Sequence, residues 1–170
     1  FWLFERAGLD VAVLEVGLGG RLDAVNLVDA DLALITSIGV DHADWLGDTR
    51  ESVAFEKAGI MRAGKPALCG DFDPPLPLLE RVAELDCPFF LRCRDFDLSV
   101  SESGWSWYGL TATGEVLRLE NLPLLDLPME NAALALQAYA LLDLPWDTEK
   151  MAEALQATRV SGRLDRRHLN

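Results

Sequence analysis

Short apolar runs alternate with stretches of helical period along the first half of the chain, and this alternation most limits the folds open to it. Asp10-Val11-Ala12-Val13-Leu14-Glu15-Val16 is a β-branched run closed by glycines, the pattern of a buried parallel strand. Residues 31–38 and 65–70 read the same way. Around them, residues 2–8 predict a helix stopped by Gly8. Residues 49–62 predict a helix capped by Asp48, with Glu51 at its third position, and residues 76–85 a further helix. Strands alternating with helices predict an α/β fold, a mostly parallel sheet flanked by helices. The stretch 88–125 has another character. Phe89-Phe90-Leu91, Trp105-Ser106-Trp107-Tyr108 and Val116-Leu117-Arg118-Leu119 are separated by Ser, Glu and Gly turns and predict a small antiparallel subsheet. Helix returns over 131–142, where Asn131 reads as the capping residue, and again from a cap at Asp147 to about Ala157.

Charge and composition narrow the function classes. Acidic residues outnumber basic ones 28 to 15, for a net charge of −13, so a nucleic-acid-binding face is disfavoured. No apolar run is long enough to span a bilayer. The opening Phe1-Trp2-Leu3-Phe4-Glu5-Arg6 has neither the basic start nor the cleavage site of a secretory leader, and it does not begin with Met, which reads as a segment of a longer polypeptide. Cys69, Cys87 and Cys93 match no zinc spacing or disulfide framework and predict free thiols in a reducing cytoplasm.

Three segments have the make-up of a site. In Glu15-Val16-Gly17-Leu18-Gly19-Gly20-Arg21-Leu22-Asp23 a carboxylate near a strand end precedes a glycine cluster. Ligands of open α/β sheets bind at the carboxyl ends of strands, and glycines let backbone approach them closely. The spacing is neither a P-loop nor a dinucleotide fingerprint, and on the glycines alone a tight turn with a surface Arg21 is the more common meaning. Ile38-Gly39-Val40-Asp41-His42-Ala43-Asp44-Trp45 follows a second strand and holds one of the two histidines. Glu15 and His42 at neighbouring strand ends are suitable to share a divalent ion, although a lone histidine is more often packed or solvated. Lys57 is the third feature. At about 100° per residue it falls inside the arc of Val53, Ala54, Ala58, Ile60 and Met61. An ammonium there must be paired, neutralised or chemically changed, unless the stem packs and the head reaches water. Trp105, Trp107 and Tyr108 read as packing before base stacking. Glu80, Arg81 and Glu84 read as helix surface, and Arg166, Arg167 and His168 as linker.

Taken together, the wording of these segments resembles that of the dihydrofolate synthase/folylpolyglutamate synthases of the Mur-ligase-like superfamily. The resemblance rests on Glu15 to Asn26 (EVGLGGRLDAVN), Thr36 to Gly47 (TSIGVDHADWLG) and Glu56 to Arg62 (EKAGIMR), in the family's order. It implies a P-loop-type Mur-ligase central domain over 1–163, lacking its N-terminal part, and a linker at 164–170 toward a further domain. It also implies an ATP-dependent ligase of folate biosynthesis. ATP converts the pteroate or folate carboxylate to an acyl phosphate, the amino group of L-glutamate attacks it, and phosphate leaves, with Mg²⁺ neutralising the developing charge. By position, Glu15 and His42 match the family's metal ligands. Lys57 matches its lysine carbamylated by CO₂, which would turn a buried ammonium into an anion beside a cation. Asp23 and Ala24 match positions near the pterin. Asn131 and Arg163 match nucleotide contacts, the latter in Ser161-Gly162-Arg163 where Pro-Gly-Arg is commoner. The implied partners are ATP, L-glutamate and dihydropteroate or folates, for a cytoplasmic monomer with no nucleic-acid or membrane partner. The family's phosphate-binding loop is absent from the 170 residues, so the segment alone is expected to be inactive. Two other readings stand beside this one: another Mur-like amino-acid ligase, and a non-catalytic nucleotide-binding domain.

Overall fold

The computed structural model describes residues 1–142 and 144–159. A short helix α1 (Trp2–Ala7) ends on Gly8 in the left-handed region, as its sequence predicts. The first sheet is parallel, with strands β1 (Ala33–Ile35), β2 (Ala67–Cys69) and β3 (Phe89–Leu91) side by side in that order. Helices α2 (Ala43–Leu46) and α3 (Arg50–Ala58) connect β1 to β2, and α4 (Leu76–Glu84) connects β2 to β3. A second, antiparallel sheet follows from β4 (Asp97–Ser101), β5 (Gly104–Leu110) and β6 (Val116–Leu122). Helices α5 (Met129–Leu141) and α6 (Thr148–Ala157) complete the described chain. The α/β reading with a small antiparallel subsheet is therefore right.

Side-chain alternation on the strands sets the layers. Ala33, Ile35, Ala67 and Cys69 face Val53, Ala54, Ala58 and Met61 of the α3 region and Leu78 of α4. Leu68 points the other way, onto Phe96, Leu134 and Leu141. Covered on both faces, β2 reads as an unbroken apolar run. Helix α5 has sheets on two sides: Leu134 and Ala138 meet the parallel sheet, while Ala132, Ala133, Leu136 and Ala140 pack on Trp105, Trp107, Leu119 and Leu122. That position explains an Ala/Leu-rich helix without a polar stripe. Its buried polar residue, Gln137, donates Nε2–H to the Leu110 carbonyl at 2.7 Å and accepts from the Leu110 N–H at 3.0 Å. The amide thus supplies strand-like hydrogen bonds to the end of β5. Replacing Gln137 with leucine is expected to lower stability by about 1–3 kcal/mol, because two Leu110 groups lose their partners. A shift of the urea midpoint reads this, and an unchanged midpoint would mean that water replaces the amide.

Several elements differ from the sequence expectation. Residues 10–16 form no strand: no described strand runs beside them, and Val13 is 92% exposed. A parallel strand needs a hydrogen-bonded neighbour, which the periodicity of a single segment cannot show. Phe89–Leu91 pairs in parallel with β2 and not with the hairpins, because β-branched and aromatic runs look alike in both sheets. Helix α3 is capped by Thr49, whose extended backbone lets Oγ1 accept the Ser52 N–H at 3.1 Å, so Asp48 and Glu51 do not form the predicted box. It ends at Gly59, short of Arg62. Asn131 is not the cap of α5: the cap position is Pro128, and Asn131 lies exposed in the first turn. Asp147 caps α6 as predicted, accepting from Glu149 and Lys150 N–H. Trp105 and Trp107 are core, and Arg81 pairs with Glu84 on the surface of α4. All three cysteines are free, and burial pushes the Cys69 thiol up to about 11.

Candidate active site

The strands of the first sheet are parallel, so the segments leaving β1 and β2 emerge on the same side. The glycine segment 17–23 packs on the last turn of α3. Its backbone is tied down by Asp23. One carboxylate oxygen accepts the N–H groups of Gly17 at 3.0 Å and Leu18 at 3.2 Å, and the other accepts that of Val25 at 2.9 Å. These donors, Val25 first, hold the Asp23 carboxyl below the ordinary carboxylate range. A depressed folded-state value means that the anchor is fully formed above about pH 4 and is lost as pH falls through the depressed value. Amide shifts of Gly17 and Leu18 are expected to be flat near neutrality and to move together only in acid. Independent movement near neutrality would rule out the shared anchor.

Glycines bring this loop onto two helices at once. A Cβ on Gly20 would lie 2.9 Å from the Glu56 carbonyl oxygen and 3.3 Å from Lys57 Cα. A Cβ on Gly19, whose φ is +67°, would lie 2.9 Å from Leu46 Cδ2 at the end of α2. The segments carrying Glu15, His42 and Lys57 therefore converge, although they are separated in sequence. Polar contacts fix the junction. Arg21 donates its backbone N–H to the Glu56 carbonyl at 2.9 Å, and its guanidinium pairs with the Glu56 carboxylate at 2.9 Å. Asn26 Nδ2 donates to the carbonyls of Arg21 and Gly59. Arg62 donates to Asn26 O at 2.8 Å and Asn26 Oδ1 at 3.0 Å, to the carbonyls of Ile60 and Met61, and to the Asp29 carboxylate. Arg21 is thus more than a surface residue. Roles for Asn26, Glu56 and Arg62 were not readable from their types, because each meets a partner on a distant segment.

The individual candidates fall as follows. Glu15 is exposed. His42 is exposed, with a left-handed backbone (φ 53°), immediately before α2, and its Nε2 is 3.8 Å from the Asp41 carboxylate. Lys57 is half-buried among the apolar residues of α3, and no carboxylate of the described residues pairs with it. Among the described residues no three His, Cys, Asp or Glu side chains are grouped to cage a metal. Mg²⁺ keeps several waters and takes one or two protein carboxylates together with substrate phosphates, so it does not require such a cage. Asp23 is engaged by three backbone N–H groups, and Ala24 opens the 3₁₀ turn Ala24–Leu27 that it caps. Arg21, Leu22, Asp23, Ala24, Asn26 and Leu27 line an open depression of about 450 Å³. Asn131 stands one turn before Leu134, whose Cδ2 is 3.7 Å from the Cβ position of Gly70 at the end of β2. This puts the first turns of α5 near the carboxyl end of β2. Arg163 and residues 164–170 lie outside the described residues.

No protein-family model matches the chain. The dihydrofolate synthase/folylpolyglutamate synthase of Haemophilus influenzae is 44% identical over 161 residues, 95% of this chain and 36% of that protein. The chain is a homologue of the dihydrofolate synthase/folylpolyglutamate synthases. It spans little more than a third of the length of these relatives. The structure of Escherichia coli FolC in complex with DHPP and ADP superposes with a TM-score of 0.87 at 42% identity, covering 96% of this chain and 38% of that one. A bifunctional folylpolyglutamate synthase/dihydrofolate synthase with Mn, AMPPNP and L-glutamate bound gives 0.85 at 45% identity, with 96% and 39% covered. This chain has the FolC-like fold over the region shared with these homologues.

Proposed function

We propose that the complete polypeptide containing these 170 residues is an ATP-dependent, ADP-forming ligase. It joins L-glutamate to dihydropteroate, to folate glutamate tails, or to both, through an acyl phosphate. The observation that carries this reading is the packing of the glycine loop on both α2, which follows His42, and the Lys57 backbone of α3, in a homologue of the dihydrofolate synthase/folylpolyglutamate synthases. DHPP, ADP, AMPPNP, Mn and L-glutamate bound to the solved homologues support it. Glu15, His42 and a carbamylated Lys57 would hold the divalent ion, which supplies charge neutralisation for phosphoryl transfer. Half-burial of Lys57 without a partner carboxylate favours the carbamate, since an unpaired ammonium among apolar neighbours is costly. Asn131 and Arg163 contact the nucleotide, and Asp23 and Ala24 shape the pterin side. Asp23 acts there mainly by fixing the backbone, since its oxygens already hold three N–H groups. We place the polypeptide in the cytoplasm as a monomer without nucleic-acid or membrane partners. No described helix is long and apolar enough to cross a membrane.

ADP release by the complete polypeptide, given ATP, Mg²⁺, L-glutamate and either dihydropteroate or tetrahydrofolate, tests the reading. Turnover with dihydropteroate marks the synthase activity, and turnover with tetrahydrofolate marks polyglutamylation. A folded protein that binds ATP and turns over neither would overturn the assignment in favour of another Mur-like ligase or a non-catalytic nucleotide-binding domain. The 170 residues alone contain no phosphate-cradling glycine–lysine loop and are expected to release no ADP.

A further inference from the structure

The segment between β1 and α2 leaves the sheet before it reaches His42, and its direction is set at one residue. Ile38 is buried, and both of its backbone polar groups are claimed by a single ion pair. The Asp71 carboxylate accepts the Ile38 N–H at 3.1 Å, and Arg50 Nε donates to the Ile38 carbonyl at 3.0 Å. The pair is closed on itself: Arg50 Nη2 meets the same Asp71 oxygen at 2.9 Å and donates to the Asp73 carbonyl at 2.9 Å. The second Asp71 oxygen accepts the Asp73 N–H at 3.1 Å. Asp71 is nearly buried, at 12% side-chain exposure. Arg50 opens α3, and Asp71 follows β2. The ladder between these strands ends just before, where the Gly70 N–H meets the Ile35 carbonyl at 2.9 Å. The Arg50–Asp71 pair therefore does for Ile38 what a neighbouring strand does for a ladder residue. A charge-assisted, two-sided grip is stronger and more directional than a neutral one. Beyond it, residues 39–42 are exposed, and a Cβ on Gly39 would meet nothing within 4 Å. Ile38 is thus the last anchored point before His42.

We infer that Arg50 and Asp71 are positioning residues that set the place of His42, and so the affinity of the divalent-ion site, without touching the ion. The inference rests on the reading of His42 as a ligand proposed above. Groups that orient a ligand typically change metal affinity by about 10–100-fold when removed. The test uses Mn²⁺ as probe, in the complete polypeptide with AMPPNP, with free Mn²⁺ counted by electron paramagnetic resonance. Arg50→Ala is expected to weaken Mn²⁺ binding by about 10-fold or more. Arg50→Lys should fall between it and the parent, because an ammonium can pair with Asp71 but lacks the guanidinium's fixed fork to reach the Ile38 carbonyl as well. Arg81→Ala removes an exposed pair on α4 and should change nothing. Where Arg50→Ala does not fold, Asp71→Asn keeps the shape but not the charge and should show the same loss in smaller measure. Saturating Mn²⁺ should restore kcat in the Arg50 variants and leave His42→Ala impaired. Weakened binding in His42→Ala beside unchanged binding in folded Arg50→Ala and Asp71→Asn would overturn the inference. Unchanged binding in His42→Ala would instead remove the metal reading on which it rests.

Discussion

Lys57→Ala in the complete polypeptide is expected to lower ADP release by about 10²–10³-fold, the usual loss when one preorganised electrostatic partner is removed from a reacting centre. Stability should hardly change. Lys57 is half-buried and pairs with no described carboxylate, so its removal orphans no buried charge. That separation makes the variant informative: a folded, nucleotide-binding protein with little turnover is the expected result. Lys57→Arg should fare no better, because a guanidinium stays protonated and cannot take up CO₂ as a neutral amine does. Carbon-13 NMR after incubation with labelled bicarbonate should show a carbamate in the parent and none in either variant. Parent-like turnover by Lys57→Ala would remove Lys57 from the chemistry.

The second large effect is expected from the smallest substitution. Gly20 is buried, and an added methyl would stand 2.9 Å from both the Glu56 carbonyl oxygen and Ile60 Cγ2, and 3.3 Å from Lys57 Cα. Two of these three neighbours are helix backbone, so the loop must move instead. Overpacking of this kind costs about 1–3 kcal/mol. The kinetic penalty is the larger one: a misplacement of about 1 Å between reacting groups lowers rates by about 10²-fold. Gly20→Ala should therefore lose about two orders of magnitude in kcat/KM while remaining folded at moderate temperature. Gly39→Ala, with open space around its Cβ position, is the matched control and should be silent. Equal activity in the two variants would show that the glycine loop does not need its seat on α3.

What was legible in the sequence follows from the range of each interaction. The apolar arc of α3 and the cap of α6 are local, and periodicity with one side-chain rule recovers both. The α/β class follows from alternation alone. Residues 10–16 lie beyond local pattern, since a strand requires a neighbour that no single segment names. Phe89–Leu91 has the composition of either sheet, and its partner decided the matter. In the proposed site, Glu15, His42 and Lys57 stood out because their types are unusual for their settings. Arg50 and Asp71, 21 residues apart, are ordinary surface types whose role exists only after folding brings them around Ile38. Asn131 was legible as the start of a helix but misread as its cap, because Pro128 begins the turn earlier.

Helix α5 has a consequence for how this region opens. Its side chains are divided between two cores, so neither sheet can separate from it without exposing apolar surface on the other side. Local fluctuations that free one hairpin or one loop do not release it; only an opening of both sheets does. The amides in the middle of α5 should therefore exchange with deuterium on the slowest timescale of the region, together with those of β2 and β5. The largely exposed run before Gly17 should exchange within the first moments. Substitutions along α5 should be tolerated poorly except around Glu130, Asn131 and Ala135, which face water.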